Sequence, residues 1–402
     1  MRILTLLTMP FLTGGIIATA HAATIDVHQA DLPVFVSGDG TYYRLPSILV
    51  TGKGTVLAAC QKRKGSRGDW AESALVLKRS TDGGRTWGPE QTLYERPGHS
   101  AFNGNLVLIR KGVRPPGLKG SDPFSHRPSV EDRQAGELLA TFIAFPTKAG
   151  AAWFTKTWIP AGGGFDLVRS DDDGRKWSPP EHHDPAPNAD GWHGGAAYNN
   201  NHGVQLTHGP HAGRLVLGAR VFKKGVYEDR AKGGVVYSDD HGRSWRVGGA
   251  GFPGQGRVNG EVTLCETSAG EVYVNYRNCD SRASPRCRLY SRSRDGGATF
   301  YQEGAEEDLP AHGCNAGLVS FTPAGADKPL LLFTYPLEPS RHKLVGYVST
   351  DNGQTWSGTN VISQHGGYSD VAVLQNGTIL VLYEKSRAAG LCLARFSLAQ
   401  PP

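Results

Sequence analysis

The chain has 402 residues, and 43 Lys+Arg against 37 Asp+Glu give it a formal charge of +6. This mild basicity suits a small acidic substrate. With no Lys/Arg run longer than three residues, it is far too weak to argue for a nucleic-acid partner, and none is expected.

Residues 1–22 read as a secretory signal: Arg2 opens it, a mostly apolar run follows, and Ala20-His21-Ala22 forms a small-residue cleavage site. The expected location is secreted or periplasmic. Removing Arg2 with this segment lowers the formal charge to +5 and leaves 380 residues. No later segment approaches 18 uninterrupted apolar residues, so the sequence predicts no membrane-spanning helix.

The next element is "TYYRLPSILV" (41–50), a strand headed for a core yet carrying Arg44. A buried guanidinium costs several kcal/mol without a partner, so Arg44 implies an anion in the protein or in a ligand. The run "KRK" (62–64) reads as a solvated strand edge. Asp69 follows in "GDWAESALVLKR", and this strand leads into "STDGGRTW" from Ser80. That octapeptide is the first of five: "SDDDGRKW" from Ser170, "SDDHGRSW" from Ser238, "SRDGGATF" from Ser293 and "STDNGQTW" from Ser349. In each, Asp can bond backbone amides of a tight turn, Gly takes the positive-φ position, and the aromatic anchors the hairpin.

Between the boxes lie unique segments. A Pro- and Gly-rich stretch (113–136) reads as an insertion, and 188–203 as a loop dense in Trp, His, Tyr and Asn. Glu261 precedes Arg277, which ends the alternating strand "EVYVNYR". Six cysteines in an exported chain can pair, and Cys279 with Cys287 is the expected bridge. Arg341 precedes the strand feeding the last box, and "GGYSDVAVLQNGTILVLYE" contributes Tyr368 and Glu384.

The box aspartates at 82, 172, 240, 295 and 351 stand 90, 68, 55 and 56 residues apart. A period near 60 fits one four-stranded blade, and the long gap holds the insertion. The sequence therefore predicts an all-β fold, one six-bladed β-propeller spanning residues 23–402. Five-fold repetition makes the box aspartates structural, because a single site cannot use them all.

With these motifs in hand, the chain resembles the retaining exo-sialidases (neuraminidases) along essentially its whole mature length. The resemblance rests on "YRLP", "GDWAES", the Glu261-to-Arg277 spacing, Arg341 before the final box, and "YSD" with its following Glu. It implies Tyr368 as nucleophile, Glu261 as its base and Asp69 as general acid/base. It implies Arg44, Arg277 and Arg341 as ligands of the substrate carboxylate, with Glu384 pairing with Arg44. The chemistry is coherent. A sialoside carries a carboxylate on its anomeric carbon, three guanidiniums can hold it, and a neutral phenol escapes the repulsion an acidic nucleophile would meet. No metal or organic cofactor is implied, and the expected partners are sialylated glycans. One departure stands out: "GHSAFNGNLVLI" has Asn103 and Asn105 where family members often place an Asp. Two other readings stay open, a same-fold hydrolase or trans-sialidase acting on a related nonulosonic acid, and a non-catalytic carbohydrate-binding propeller.

Overall fold

The computed structural model describes residues 24–110, 113, 136–147, 164–195, 201–223, 232–251, 258–278, 287–386 and 388–399. Residues 1–22, expected to be a signal, and most of the 113–136 insertion lie outside them. So does Cys279.

The apolar runs between the boxes pair into six antiparallel sheets. The first holds Thr41–Val50, Val56–Lys64, Ser73–Ser80 and Gln91–Tyr94. The second holds His99–Ile109, Glu137–Pro146, Phe165–Ser170 and Glu181–His183. The third has five strands, with Leu215–Lys223 pairing both Trp192–Gly195 and Val204–Gln205. The fourth runs Val258–Glu266, Val272–Asn278, Cys287–Ser293 and Gln302–Pro310, and the fifth Gly317–Phe321, Leu330–Pro336, His342–Ser349 and Ser357–His365. The sixth combines Ser369–Val373, Ile379–Ser386 and Gly390–Leu398 with the chain's first strand, Ile25–Val36. The innermost strands contact their neighbours around the ring, and the sixth closes on the first, giving a six-bladed propeller.

Five boxes therefore serve six blades, and the sixth blade shows why. In blades one to five the box joins the third strand to the fourth. In the sixth, the outer strand comes from the other end of the chain, with Ile25 opposite Leu398 and Val36 opposite Gly390. No covalent turn exists there to carry a box.

The box itself is a closed local network. Asp240 Oδ1 accepts from the amides of Arg243 and Ser244 at 3.0 and 2.9 Å, and its Oδ2 accepts from Ser244 Oγ at 2.5 Å. Ser238 Oγ donates to Asp240 at 2.8 Å and accepts from Gly242 N at 2.7 Å. Gly242, at φ 78°, packs so closely on the preceding blade that a Cβ there would lie 2.8 Å from Leu139 Cδ1. A side chain is thus excluded both by backbone conformation and by space. Trp245 and Trp356 are buried beneath their turns, while Trp87, Trp177 and Phe300 are half-buried against interblade clusters.

Apolar faces of successive sheets form the core. Leu57, Leu75 and Leu138 pack between the first and second blades, and Val216, Val235 and Val262 between the third and fourth. The cysteine expectation needs correction. Cys60, Cys265, Cys287, Cys314 and Cys392 are buried free thiols. Four of them sit on different strands of this core, and Cys314 lies in the segment before the strand Gly317–Phe321, all as small apolar side chains.

Candidate active site

Antiparallel alternation sorts the blade ends. The start of an inner strand and the end of the second lie at one face of the ring, and the end of the third lies at the other. The boxes occupy the latter. Glu261 near the start of an inner strand, Tyr368 just before one, Arg277 and Glu384 at ends of second strands, and Asp69 and Arg341 in turns from second to third strands all occupy the former.

Arg44 sits at a bulge. Register is lost between Arg44 and Ser47, and Leu45 adopts φ 62° although proline follows it. This turns both the Arg44 guanidinium and the Leu45 amide onto one carboxylate. Arg44 Nε and Nη2 donate to Glu384 Oε1 and Oε2 at 2.6 and 3.2 Å, and Leu45 N donates to Oε1 at 3.2 Å. Both side chains are buried, 4% and 2% exposed. Against the opposing penalty of burial, each partner stabilises the other's charge: Glu384 is held below the usual carboxylate range and Arg44 above the usual guanidinium range. The anion that Arg44 required is in the protein.

Tyr368 is the centre. Its hydroxyl donates to Glu261 Oε1 at 2.6 Å and accepts from Arg277 Nη1 at 2.7 Å, while the same Arg277 nitrogen donates to Glu261 Oε1 at 2.6 Å. Three guanidiniums surround the ring, with the Arg341, Arg44 and Arg277 carbons 5.0, 5.7 and 6.0 Å from its centroid. Burial pushes the phenol well above its ordinary pKa, the Glu261 charge adds to this, and Arg277 and Arg341 oppose it. The resting phenol keeps its proton.

Arg341 is bound differently. It lies in the left-handed region (φ 63°), and its Nη2 donates to the Gly313 carbonyl at 3.0 Å. Asp69 stands at the open edge, 57% exposed, in an ion pair of 2.9 Å with Arg63.

Arg63 corrects the reading of "KRK" as a solvated edge. Strand alternation sends Lys62 and Lys64 outward and Arg63 inward, where it is fully buried. Its Nε donates to Gln61 Oε1 at 2.8 Å and its Nη1 to the Arg67 carbonyl at 2.6 Å. Burial and neighbouring Arg44 push its pKa down to about 10. The signal for it was the period of two, read against an expectation of surface charge.

A second group missed in the sequence is centred on Asp370, two residues after Tyr368. Asp370, fully buried, accepts from Ile48 N at 2.9 Å, Asn201 Nδ2 at 3.1 Å and His202 N at 3.1 Å, and meets His202 Nδ1 at 2.9 Å. Asn201 also donates to the Ala316 and Ser369 carbonyls at 2.7 and 3.2 Å. This hub ties the strand that follows Tyr368 to the first, third and fifth blades. His193 lies elsewhere, stacked on Phe222. Asn103 and Asn105 are buried on the inner strand of the second blade, Asn103 at φ 53° within a register shift. Among the described residues no group of three or more His, Cys, Asp or Glu is arranged to hold a metal ion.

Comparison with known proteins yields a coherent set. A family model described as a BNR repeat-like domain matches residues 128–381. A sialidase of Micromonospora viridifaciens is 31% identical over 371 residues, covering 89% of this chain and 52% of that protein. A sialidase of Bacteroides fragilis is 26% identical over 395 residues, covering 90% and 63%. The chain thus spans between about half and two thirds of the length of these relatives. Among solved structures, a Hadza microbial sialidase superposes with a TM-score of 0.66 at 22% identity, covering 89% of this chain and 66% of that one. The intramolecular trans-sialidase from Ruminococcus gnavus superposes with a TM-score of 0.65 at 16% identity, covering 92% and 99%. These two likenesses concern the fold.

Proposed function

We propose that this chain, which belongs to the BNR-repeat sialidase family, is an exo-α-sialidase that releases terminal sialic acid from glycans with retention, through a tyrosyl-enzyme intermediate. The observation that carries the reading is the Tyr368 hydroxyl, hydrogen-bonded to Glu261 within a ring of three guanidiniums.

The substrate carboxylate is held by Arg44, Arg277 and Arg341. A carboxylate nucleophile about 4 Å from it would meet roughly 1–4 kcal/mol of repulsion, which a phenol avoids. Because the buried phenol holds its proton, attack on the anomeric carbon is coupled to proton transfer from Tyr368 to Glu261. Asp69 protonates the departing glycosidic oxygen, and its exposure lets it then take a proton from the water that cleaves the aryl ketoside bond between Tyr368 and the sugar, while Glu261 returns its proton to the departing phenolate. Residues 1–22, acting as a cleaved signal, would deliver the enzyme outside the cytoplasm.

Trapping with a fluorinated sialosyl donor, followed by intact-mass and peptide mapping, tests the scheme. The expected result is one sialosyl adduct, on Tyr368. An adduct on Asp69 or Glu261, or inverted product by NMR, would overturn it.

A further inference from the structure

The three guanidiniums around Tyr368 are not anchored alike. Arg44 is held by Glu384 and Arg277 by Glu261. Arg341 makes no ion pair among the described residues. The hydrogen bond of its side chain goes to a backbone carbonyl, Gly313 O, at 3.0 Å. The precision of this third guanidinium therefore depends on whatever fixes residues 312–314.

Besides the bond of His312 Nε2 to the Leu337 carbonyl at 3.0 Å, two side chains from neighbouring strands do so. Tyr335 OH accepts from His312 N at 2.6 Å and from Cys314 N at 3.4 Å. Arg288 Nη1 donates to the Cys314 carbonyl at 2.8 Å. Arg288 is fully buried, lies over the faces of Phe333 and Tyr335 at 5.3 Å each, and like Arg341 makes no ion pair among the described residues. A buried cation of this kind is costly, and aromatic faces offset only part of that cost. The remainder of its environment is a chain of buried hydrogen bonds. Arg288 Nε donates to Asn275 Oδ1 at 2.7 Å, Asn275 Nδ2 donates to Tyr273 OH at 3.3 Å, and Tyr273 OH donates to Glu306 Oε1 at 2.6 Å. Arg288, Asn275 and Tyr273 are wholly buried and Glu306 is 5% exposed. The cation thus reaches the Glu306 carboxyl group through two neutral side chains, and its other end grips the segment that holds Arg341.

We propose that Arg288 is a positioning residue for Arg341: the chain Glu306–Tyr273–Asn275–Arg288 fixes the Cys314 carbonyl, and with it the Gly313 carbonyl on which the third guanidinium rests. A charged donor makes the stronger hydrogen bond to that carbonyl, which explains an arginine in a core that could have been apolar. The kinetic consequence rests on the sialidase reading; the geometric one does not.

The test uses Arg288→Met, similar in length but without donors, and Tyr273→Phe, which breaks the chain by removing one oxygen. For an aryl sialoside, KM is expected to rise about tenfold in Arg288→Met, as for loss of a charged hydrogen bond, with kcat nearly unchanged. In an Arg341→Ala background the same substitution should change KM by less than about twofold, because the groups act in series. Lower melting temperature with unchanged KM, or a full KM effect in the Arg341→Ala background, would show a merely structural role and overturn the proposal. Crystal structures of both variants are read independently of activity. Arg341 Nη2 should lie beyond about 3.5 Å from Gly313 O, and retention of that bond defeats the inference. If the unaltered protein turns over no sialoside, the functional reading falls while these structures still decide the positioning. If Arg288→Met does not fold, Tyr273→Phe carries the same measurements.

Discussion

The two faces of the propeller use the same chemistry in opposite ways. At the box face, each aspartate is satisfied by its own turn. Against the upward push of burial, hydrogen bonds from Thr86, Ser80 and the Arg85 amide hold Asp82 well below the usual carboxylate range, all from within a few residues. At the other face the partners are remote. Arg44 and Glu384 are 340 residues apart, and Tyr368 and Glu261 are 107 apart. Local, repeated polar groups close on themselves and hold the ring. Non-local, unrepeated ones depend on each other across the ring.

The sharpest way to separate the faces is Tyr368→Phe. It keeps the ring and its three guanidiniums, removes the oxygen proposed to attack, and should lower kcat by on the order of 10³-fold or more while ligand binding survives. Steady-state kinetics with calorimetric titration of free sialic acid checks both halves. Glu384→Gln tests whether the site face also bears structure. It leaves Arg44 buried without an anion and should cost about 3 kcal/mol of stability, read by denaturant unfolding, along with substrate affinity. The converse is Asp240→Ala. Loss of the box network should cost about 1–3 kcal/mol with KM and kcat nearly unchanged, and a comparable loss of turnover would erase the distinction between the faces.

The remaining expected effect is a pH dependence. Burial pushes Glu306 up to about 7, against hydrogen bonding from Tyr273. Its folded pKa therefore exceeds its unfolded value near 4.5, so between these the native state binds more protons than the unfolded one. The stabilisation is complete below about 4.5 and is lost as pH rises through about 7. Unfolding free energy should fall across that window, and Glu306→Gln should flatten the slope. An unchanged profile in the variant would remove Glu306 as its source.

Much of this was legible in the sequence, for physical reasons that differ by region. The box turns are short-range objects in which donor, acceptor, glycine and anchor all lie within eight residues, so the octapeptide alone specifies them. Their spacing then sets blade size and ring number. Glu261 and Arg277 are 16 residues apart across one hairpin, and their pairing also follows from strand geometry. Arg44 announced itself as a charge in an apolar strand. What the sequence could not determine is which charges are buried and what meets them. Arg63 lay inside a run of cations that reads as surface, and alternation could turn it inward only once the neighbouring strands were in place. Asp370 stood beside Tyr368 as an ordinary acid, and Arg288 as an ordinary strand cation. The desolvation that makes each of them consequential is imposed by other blades closing around the axis. A charge is written in one residue, but its burial belongs to everything packed against it, and in a ring closed by its two ends those contacts exist only in the folded whole.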